Sequence, residues 1–377
     1  MKIAFMRLVA CPHCGGKLRL RSFSEKKLSF PAGEEARLRA YCAAKKLRAA
    51  DFKRDVAEGV LNCECGRWFP VIASIPRLLS DDLFDELVSK HSGFLEKHAA
   101  RLPKKMRGKT LKDSVMQRKT GESFGFQWKA FREMYPEYEK NFLNYVAPLQ
   151  PSFFKDKVVL DAGCGFGRHS FYAAKYGAEV VALDLSDAVE SARDNLERFA
   201  LSHVVQADVY RPPLQRKFDF VFSIGVLHHL PNPEAGFRAL VRLLRNGDEI
   251  FAWVYGKENR SFKLKVMEPV HSVAKRLPYR VLYALCVCPA LLYHSVNLLY
   301  KALLRLGLKG LAEKLPFKYY ANFPFRVKHA DAFDFLSTQV NNYYSREEFR
   351  AWFERAGLKK IRITSFLGRS WRGFGVK

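Results

Sequence analysis

Three groups of side chains in this sequence have the types and spacing for chemistry. Cys11 and Cys14 flank two residues in C-P-H-C-G-G, and Cys63 and Cys65 flank one in C-E-C-G. Together they offer four thiolates for a tetrahedral zinc, on knuckle turns whose glycines permit a tight backbone, with His13 beside them as a substitute ligand. The second group follows an apolar run in VVLDAGCGFGRHS, where Asp161, Gly163, Gly165 and Gly167 crowd one turn. Glycines lack the Cβ that would hold a ligand off the backbone. Asp184 stands 21 residues beyond Gly163, where a carboxylate can accept both hydroxyls of a ribose, and Asp208 ends the next apolar run, within reach of an adenine amino group. The spacing is G-x-G-x-G, not the G-x-G-x-x-G of dinucleotide sites. Three acidic residues closing three successive runs suit a cationic nucleoside cofactor without phosphates. The third group is the pair His228 and His229, candidate bases if an acceptor must lose a proton.

These residues need strands and helices to converge. VVL reads as a strand, SFYAAKYG as a helix stopped by Gly177, EVVALDL as a second strand, and SDAVESARDNLERFA as a helix with Ser186 as N-cap. HVVQAD, FDFVFSIGVL and DEIFAWVY supply three more strands, with a helix from Pro233 between the last two. Such alternation predicts an α/β, doubly wound, mostly parallel sheet. SREEFRAWFERAG adds a helix with Ser345 and Glu348 in capping-box spacing, and KKIRITSFLGRSWRGFGVK reads as two closing strands about Gly368. Between the cysteine pairs, EEARLRAYCAAKKLRAADFKRDVAEG reads as a helical insert. The expected units are a zinc-ribbon-like domain at 1–80, a helical connector at 81–150 with RLPKKMRGKTLK as a loop, a cofactor-binding core at 151–256, a basic helical insertion at 257–335, and a closing helix and strands at 336–377.

The chain has 377 residues, 48% of them apolar, which excludes a disordered or collagen-like protein. Its net charge of +26 is unevenly placed. Residues 1–120 carry 26 lysines and arginines against 13 acidic residues, and residues 257–330 carry 14 against 3. Basic surfaces of this kind meet RNA, an anionic membrane or an acidic small molecule, and charge alone does not choose. The N-terminal apolar run is too short for a signal peptide, so a reducing, cytoplasmic setting is expected, where close cysteines bind metal more often than they form disulfides. In the insertion, VLYALCVCPALLYHSVNLLY is long enough to cross a bilayer, but Pro289, His294, Ser295 and Asn297 interrupt it. Past Pro289, helical periodicity sets His294, Asn297, Lys301 and Arg305 on one face and Leu292, Val296, Leu299, Leu303 and Leu306 on the other. Such a helix would lie on an anionic membrane or cap the site over a greasy acceptor.

Residues 158–256 resemble the class I S-adenosylmethionine-dependent methyltransferases, through VVLDAGCGFGRHS, VVALDLS, QADV and FDFVFSIGVLHHLPNP. The resemblance implies a Rossmann-like, seven-stranded sheet. It places Gly163, Gly165 and Gly167 around the methionine part of S-adenosylmethionine with Asp161 orienting it, Asp184 and Leu185 at the ribose, Asp208 and Val209 at the adenine, and Ser223 and Ile224 beneath the sulfonium. The cysteine pairs and FPVIASIPRLL are similar to the small zinc-ribbon activators that partner tRNA, rRNA and release-factor methyltransferases. HADAFDFLSTQVNNYYSREEFRAWFERAGL resembles the final part of methyltransferases acting on small or lipid-like acceptors, including those of ubiquinone and menaquinone biosynthesis, which sets Phe333, Asp334, Asn342, Tyr343 and Tyr344 toward the acceptor. The implied activity is O- or C-methylation of a small or lipid-linked acceptor, in the cytoplasm or peripheral to the inner face of the membrane. The alternatives are an RNA methyltransferase using the basic N-terminal region and a non-catalytic, cofactor-binding scaffold. No N-P-P-Y-type tetrad follows the fourth strand, which removes the best signal for base or glutamine N-methylation, and no DNA sequence recognition is expected.

Overall fold

The structure, a computed structural model, describes residues 1–103, 114–258 and 269–377. Most of the stretch RLPKKMRGKTLK, expected as a loop, lies outside the described residues. Eleven strands form one sheet: β1 (Leu18–Lys27), β2 (Arg54–Cys63), β3 (Trp68–Ile72), β4 (Ile75–Leu78), β5 (Val158–Ala162), β6 (Glu179–Asp184), β7 (Ser202–Ala207), β8 (Phe218–Ile224), β9 (Leu244–Tyr255), β10 (Lys359–Phe366) and β11 (Ser370–Val376). Their order is β1-β2-β3-β4-β7-β6-β5-β8-β9-β11-β10. The strands from β7 to β9 pair in parallel, and β11 and β10 close that side antiparallel. Both faces of β5 and β8 are buried, which is why they read as near-continuous apolar runs and not as alternating ones.

The N-terminal segment is a four-stranded antiparallel ribbon, β1 to β4, with the helices Ala32–Lys45 and Ala49–Lys53 crossing between β1 and β2. The expected helical insert therefore ends early: KRDVAEG turns into β2 at Arg54. Val56 and Val60 are β-branched and fully buried there, and a Cβ at Gly59 would stand 2.9 Å from the Arg21 carbonyl oxygen of β1, so this stretch lies tight against a neighbouring strand.

This ribbon is joined to the parallel sheet by hydrogen bonds between β4 and β7, with Arg77 opposite Gln206 and Leu78 opposite Ala207. Arg77 is fully buried at the seam, where its guanidinium donates to Gln206 Oε1 at 2.8 Å and reaches Glu190 at 3.3 Å. Lys2 Nζ donates to the carbonyls of Phe199, Ala200 and Ser202 at 2.8–2.9 Å. Glu179, fully buried, takes hydrogen bonds from Tyr41 (2.6 Å), His203 (2.8 Å) and Arg7. Buried charges survive only when partnered in this way.

Two of the helices flanking the parallel strands carry side-chain caps, one of them the capping box expected at Ser345 and Glu348. Asn232 accepts from Ala235 N–H at 3.1 Å ahead of Pro233–Val241, and Ser345 and Glu348 form both halves of a capping box. Ser186 stands too early to cap the following helix, which starts at Val189; its oxygen accepts from Ala188 N–H at 3.3 Å and its hydroxyl donates back to Asp184. In the insertion, the helices Tyr279–Leu285 and Val287–Arg305 pack on Phe325–Ser337. The face that Val287–Arg305 turns inward carries Ala290, Asn297 and Leu303, while Leu292, Leu299 and Leu306 stand in solvent. Asn297 thus lies opposite Leu292, Leu299 and Leu306 as the periodicity sets it, with its amide on the Phe317 carbonyl at 2.9 Å, whereas Leu303, expected on the leucine face, is buried.

Candidate active site

At the carboxyl ends of β5, β6, β7 and β8 opens a cavity of about 770 Å³, in the place where doubly wound sheets bind ligands and at the upper end of the usual pocket range. Gly163, Gly165, Asp184, Leu185, Asp208, Val209, Ile224 and His229 line it. The turn after β5 is held by Gly163 and Cys164, whose N–H groups donate to the Leu183 carbonyl at 2.7 and 2.9 Å. Gly163 has φ +85°, and a Cβ there would lie 2.2 Å from Val226; Gly165 has φ +54°, and its Cβ would meet the Trp128 ring at 3.0 Å. Both positions need glycine, and the bare backbone leaves a cradle.

Asp184 holds the floor of this cradle. Its Oδ2 accepts from Gly165 N–H at 2.9 Å, and its Oδ1 from Ser186 N–H (2.8 Å) and Ser186 Oγ (2.7 Å). Burial raises its pKa, and these three donors oppose the rise. A carboxylate offers about four lone-pair positions, so one remains for a ligand hydroxyl. Asp208 accepts from Tyr210 N–H at 2.9 Å.

Asp161, Gly167, Ser223 and His228 stand behind the wall. Asp161 is buried and takes the Ser170 hydroxyl at 2.6 Å, and burial pushes its carboxyl up to about 7. Ser223 donates to the Ala162 carbonyl at 2.9 Å, so its side chain belongs to the sheet and not to the cavity floor. His228 is fully buried with its ring 3.9 Å from that of Tyr255. His229 reaches the cavity, but its Nδ1 is engaged by the Val340 carbonyl at 2.8 Å and burial lowers its pKa to about 4. It is a neutral imidazole and a weak base.

The opposite wall comes from distant segments. Tyr145, Arg168, Phe317, Tyr319, Tyr320 and Asp331 line it, and Trp128 closes it toward the glycine turn. Arg168 is half-buried over the rings of Trp128 and Tyr138, at 5.8 and 5.5 Å. Asp331 and Asp334, on Phe325–Ser337, are each pushed up to about 6 by burial; the Arg168 charge pulls both down, with the Tyr320 hydroxyl acting on Asp331 and Gln127 on Asp334. Of the five residues expected at the acceptor, Asp334 lines the cavity. Phe333 is fully buried, Asn342 is spent on the His228 and Leu230 carbonyls, Tyr343 stacks on Tyr255 and Tyr344 meets Trp352 edge to face. The lining residues that sequence reading missed, Tyr145, Tyr319, Tyr320 and Asp331, belong to no local motif; carboxylates in apolar company inside HADAFDF were the available signal.

The four cysteines meet at the far side of the seam. Their sulfurs lie within 4.8 Å of one another, with Cys11–Cys65 at 3.8 Å and Cys14–Cys63 at 3.5 Å. Four sulfurs at about 2.3 Å from one zinc stand about 3.8 Å apart, so the donor set fits a tetrahedral zinc. His13 is not among the converging groups. The chain just before Cys11 is tied to the loop that follows Asp208, by Ala10 N–H to the Pro213 carbonyl and Gln215 N–H to the Leu8 carbonyl, both 2.8 Å.

Residues 160–252 match the methyltransferase domain family, and residues 2–73 match the Trm112p-like protein family. A ubiquinone biosynthesis O-methyltransferase of Azoarcus sp. (strain BH72) is 35% identical over 111 residues, covering 28% of this chain and 46% of that protein. Its counterpart in Shewanella halifaxensis (strain HAW-EB4) is 32% identical over 124 residues, 32% of this chain and 52% of that protein. The chain thus spans about half the length of the curated relatives it matches. Among solved structures, human N-acetylserotonin methyltransferase in complex with S-adenosylmethionine is 11% identical, covering 78% of this chain and 69% of that one, with a TM-score of 0.40. The chain carries a methyltransferase domain behind a Trm112p-like, zinc-ribbon domain.

Proposed function

We propose that this chain transfers a methyl group from S-adenosylmethionine to a hydroxyl of a small, largely apolar acceptor. The observation that carries the reading is the shared cavity: a glycine cradle with Asp184 and Asp208 on one side, and an aromatic wall holding a half-buried carboxylate on the other. The cradle fits the cofactor, because Gly163, Gly165 and Asp184 line a cavity of about 770 Å³ and Asp184 keeps an acceptor position beside its three protein donors. Asp184 would hold the ribose, Asp208 and Val209 the adenine, and Arg168 an anionic group on the cofactor or the acceptor.

When bound, the cofactor supplies an activated methyl on a sulfonium, so this chain's work is positioning and deprotonation. The aromatic wall excludes water and orients the acceptor. Asp331 is better suited than His229 to take the hydroxyl proton as the O–CH3 bond forms, since a carboxylate with pKa about 6 is ionised at neutral pH while His229 has one ring nitrogen already engaged. The ubiquinone O-methyltransferase relatives support a small-molecule, oxygen acceptor, in which an apolar tail would meet the aromatic side of the cavity.

The test is calorimetric titration of S-adenosylmethionine and its demethylated product into the purified chain, followed by transfer of labelled methyl into an organic extract. Binding of both and label in the extract are expected. Folded protein that binds neither overturns the reading and favours a scaffold.

A further inference from the structure

Among the described residues fourteen large apolar side chains stand exposed, and twelve of them lie between Val270 and Leu311. Isolated exposed leucines are ordinary, but a concentration of this kind in one short segment marks an interface. We propose that the exposed leucine face of the helix Val287–Arg305, with the segments on either side of it, lies flat on an anionic phospholipid bilayer.

The stretch Tyr279–Arg305, which includes this helix, is long and apolar enough to cross a membrane by length and composition. One side of the helix is already committed to protein, however. Ala290, Asn297 and Leu303 are buried, the Asn297 amide bonds the Phe317 carbonyl, and the Tyr293 ring sits 4.2 Å from that of Phe317. Only the outer side is free to meet lipid. It carries Leu291, Leu292, Leu298, Leu299 and, one residue past its end, Leu306, which at 100° per residue fall within an arc of roughly 120°. A helix buried along one side and apolar along the other lies in the membrane interface and does not span it.

Charge selects the bilayer over other occupants. Between residues 269 and 315 the sequence has seven lysines and arginines against Glu313 alone, all seven are exposed, and Glu313 is paired with Lys318. Arg280 precedes the leucine face, Lys301 and Arg305 flank its last turns and Lys309 follows it, where phosphate headgroups would meet them. A second copy of this surface would bring like charges together, and RNA has no use for a leucine stripe.

The orientation has a consequence for the acceptor, and this part rests on the methyl-transfer reading. Leu315, Pro316 and Phe317 line the cavity and follow the last exposed leucine, Leu311, by a few residues. Docking would set this wall of the cavity beside the bilayer, so an acceptor with an apolar tail could be taken directly from the lipid phase.

The test is flotation of the full chain with vesicles of phosphatidylcholine alone and of phosphatidylcholine and phosphatidylglycerol in equal parts. Binding to the mixed vesicles at least roughly tenfold stronger than to the neutral ones, and weakened by salt, is expected from surface electrostatics. The double variant Leu292→Glu and Leu299→Glu changes exposed positions only, and should lose vesicle binding while titrating S-adenosylmethionine as the parent does. Equal flotation of parent and variant overturns the proposal. So does a leucine-dependent dimer seen by sedimentation, or binding of bulk RNA that the variant loses. Flotation by a chain that binds no cofactor leaves the docking surface standing and removes the methyl-transfer reading.

Discussion

Substituting Asp184 by asparagine probes the cradle with a magnitude that the geometry sets. Its carboxylate accepts three hydrogen bonds from the protein, two on Oδ1 and one on Oδ2. One lone-pair position is left, so a ribose hydroxyl gains one charge-assisted hydrogen bond and not two. Such a bond contributes about 1.5–3 kcal/mol, which at 1.4 kcal/mol per decade is roughly a 10- to 150-fold loss of affinity. Asparagine also sets an NH2 against either Gly165 N–H or the two Ser186 donors, leaving at least one buried donor without a partner at a cost of about 1–3 kcal/mol in stability. The two losses separate experimentally. Calorimetric titration reads the first at a temperature where circular dichroism shows the variant folded, and thermal unfolding reads the second. An affinity within twofold of the parent, with the expected drop in melting temperature, would mean that Asp184 only braces the glycine turn and that the ribose lies elsewhere.

Methyl transfer should rise with pH through about 6 as Asp331 ionises, because the base must shed its proton before it can accept another, and Asp331→Asn should lose that limb in a kcat/KM profile while binding S-adenosylmethionine normally. Metal analysis should find one zinc per chain. Stripping it should lower the melting temperature and also weaken cofactor affinity, since the knuckle at Cys11 is tied to the loop after Asp208; an unchanged affinity in metal-free, folded protein refutes the coupling. Arg77→Ala should destabilise by roughly 2–5 kcal/mol in urea unfolding through the cavity it leaves at the seam, and Arg77→Met should recover most of that.

The parallel sheet and its ligand turn were readable because their signals are local. A strand, a glycine turn and an acid at the end of the next strand fall within a few dozen residues, and each choice is dictated by the backbone it must adopt. What escaped depends on chain segments far apart. The pairing of β4 with β7 joins residues separated by more than a hundred positions, and nothing in IPRL announces its partner. KRDVAEG has helix formers on both sides of its single valine, and the neighbouring β1 decides in favour of a strand. Ser186 has the type of an N-cap, but the helix starts only at Val189, so its oxygen accepts from Ala188 N–H ahead of the first turn while its hydroxyl donates to Asp184. On Val287–Arg305 the periodicity marks the leucine face, but which side meets the protein is set by the distant Phe317 segment, which takes the Asn297 amide and leaves Leu292, Leu299 and Leu306 outside.

The seam has one more effect, on the encounter of two such molecules. A strand at the margin of a sheet offers unpaired amides and carbonyls to any extended chain, which invites aggregation. The ribbon and the parallel sheet would each present such a margin at β4 and β7; by pairing there, each blunts the other's. Two margins remain, at β1 and β10. These carry Arg19, Arg21, Lys26 and Lys27 on one side and Lys359, Lys360 and Arg362 on the other, all of them exposed. Part of the net charge of +26 therefore acts between copies, keeping strand from adding to strand, and has no ligand to explain it.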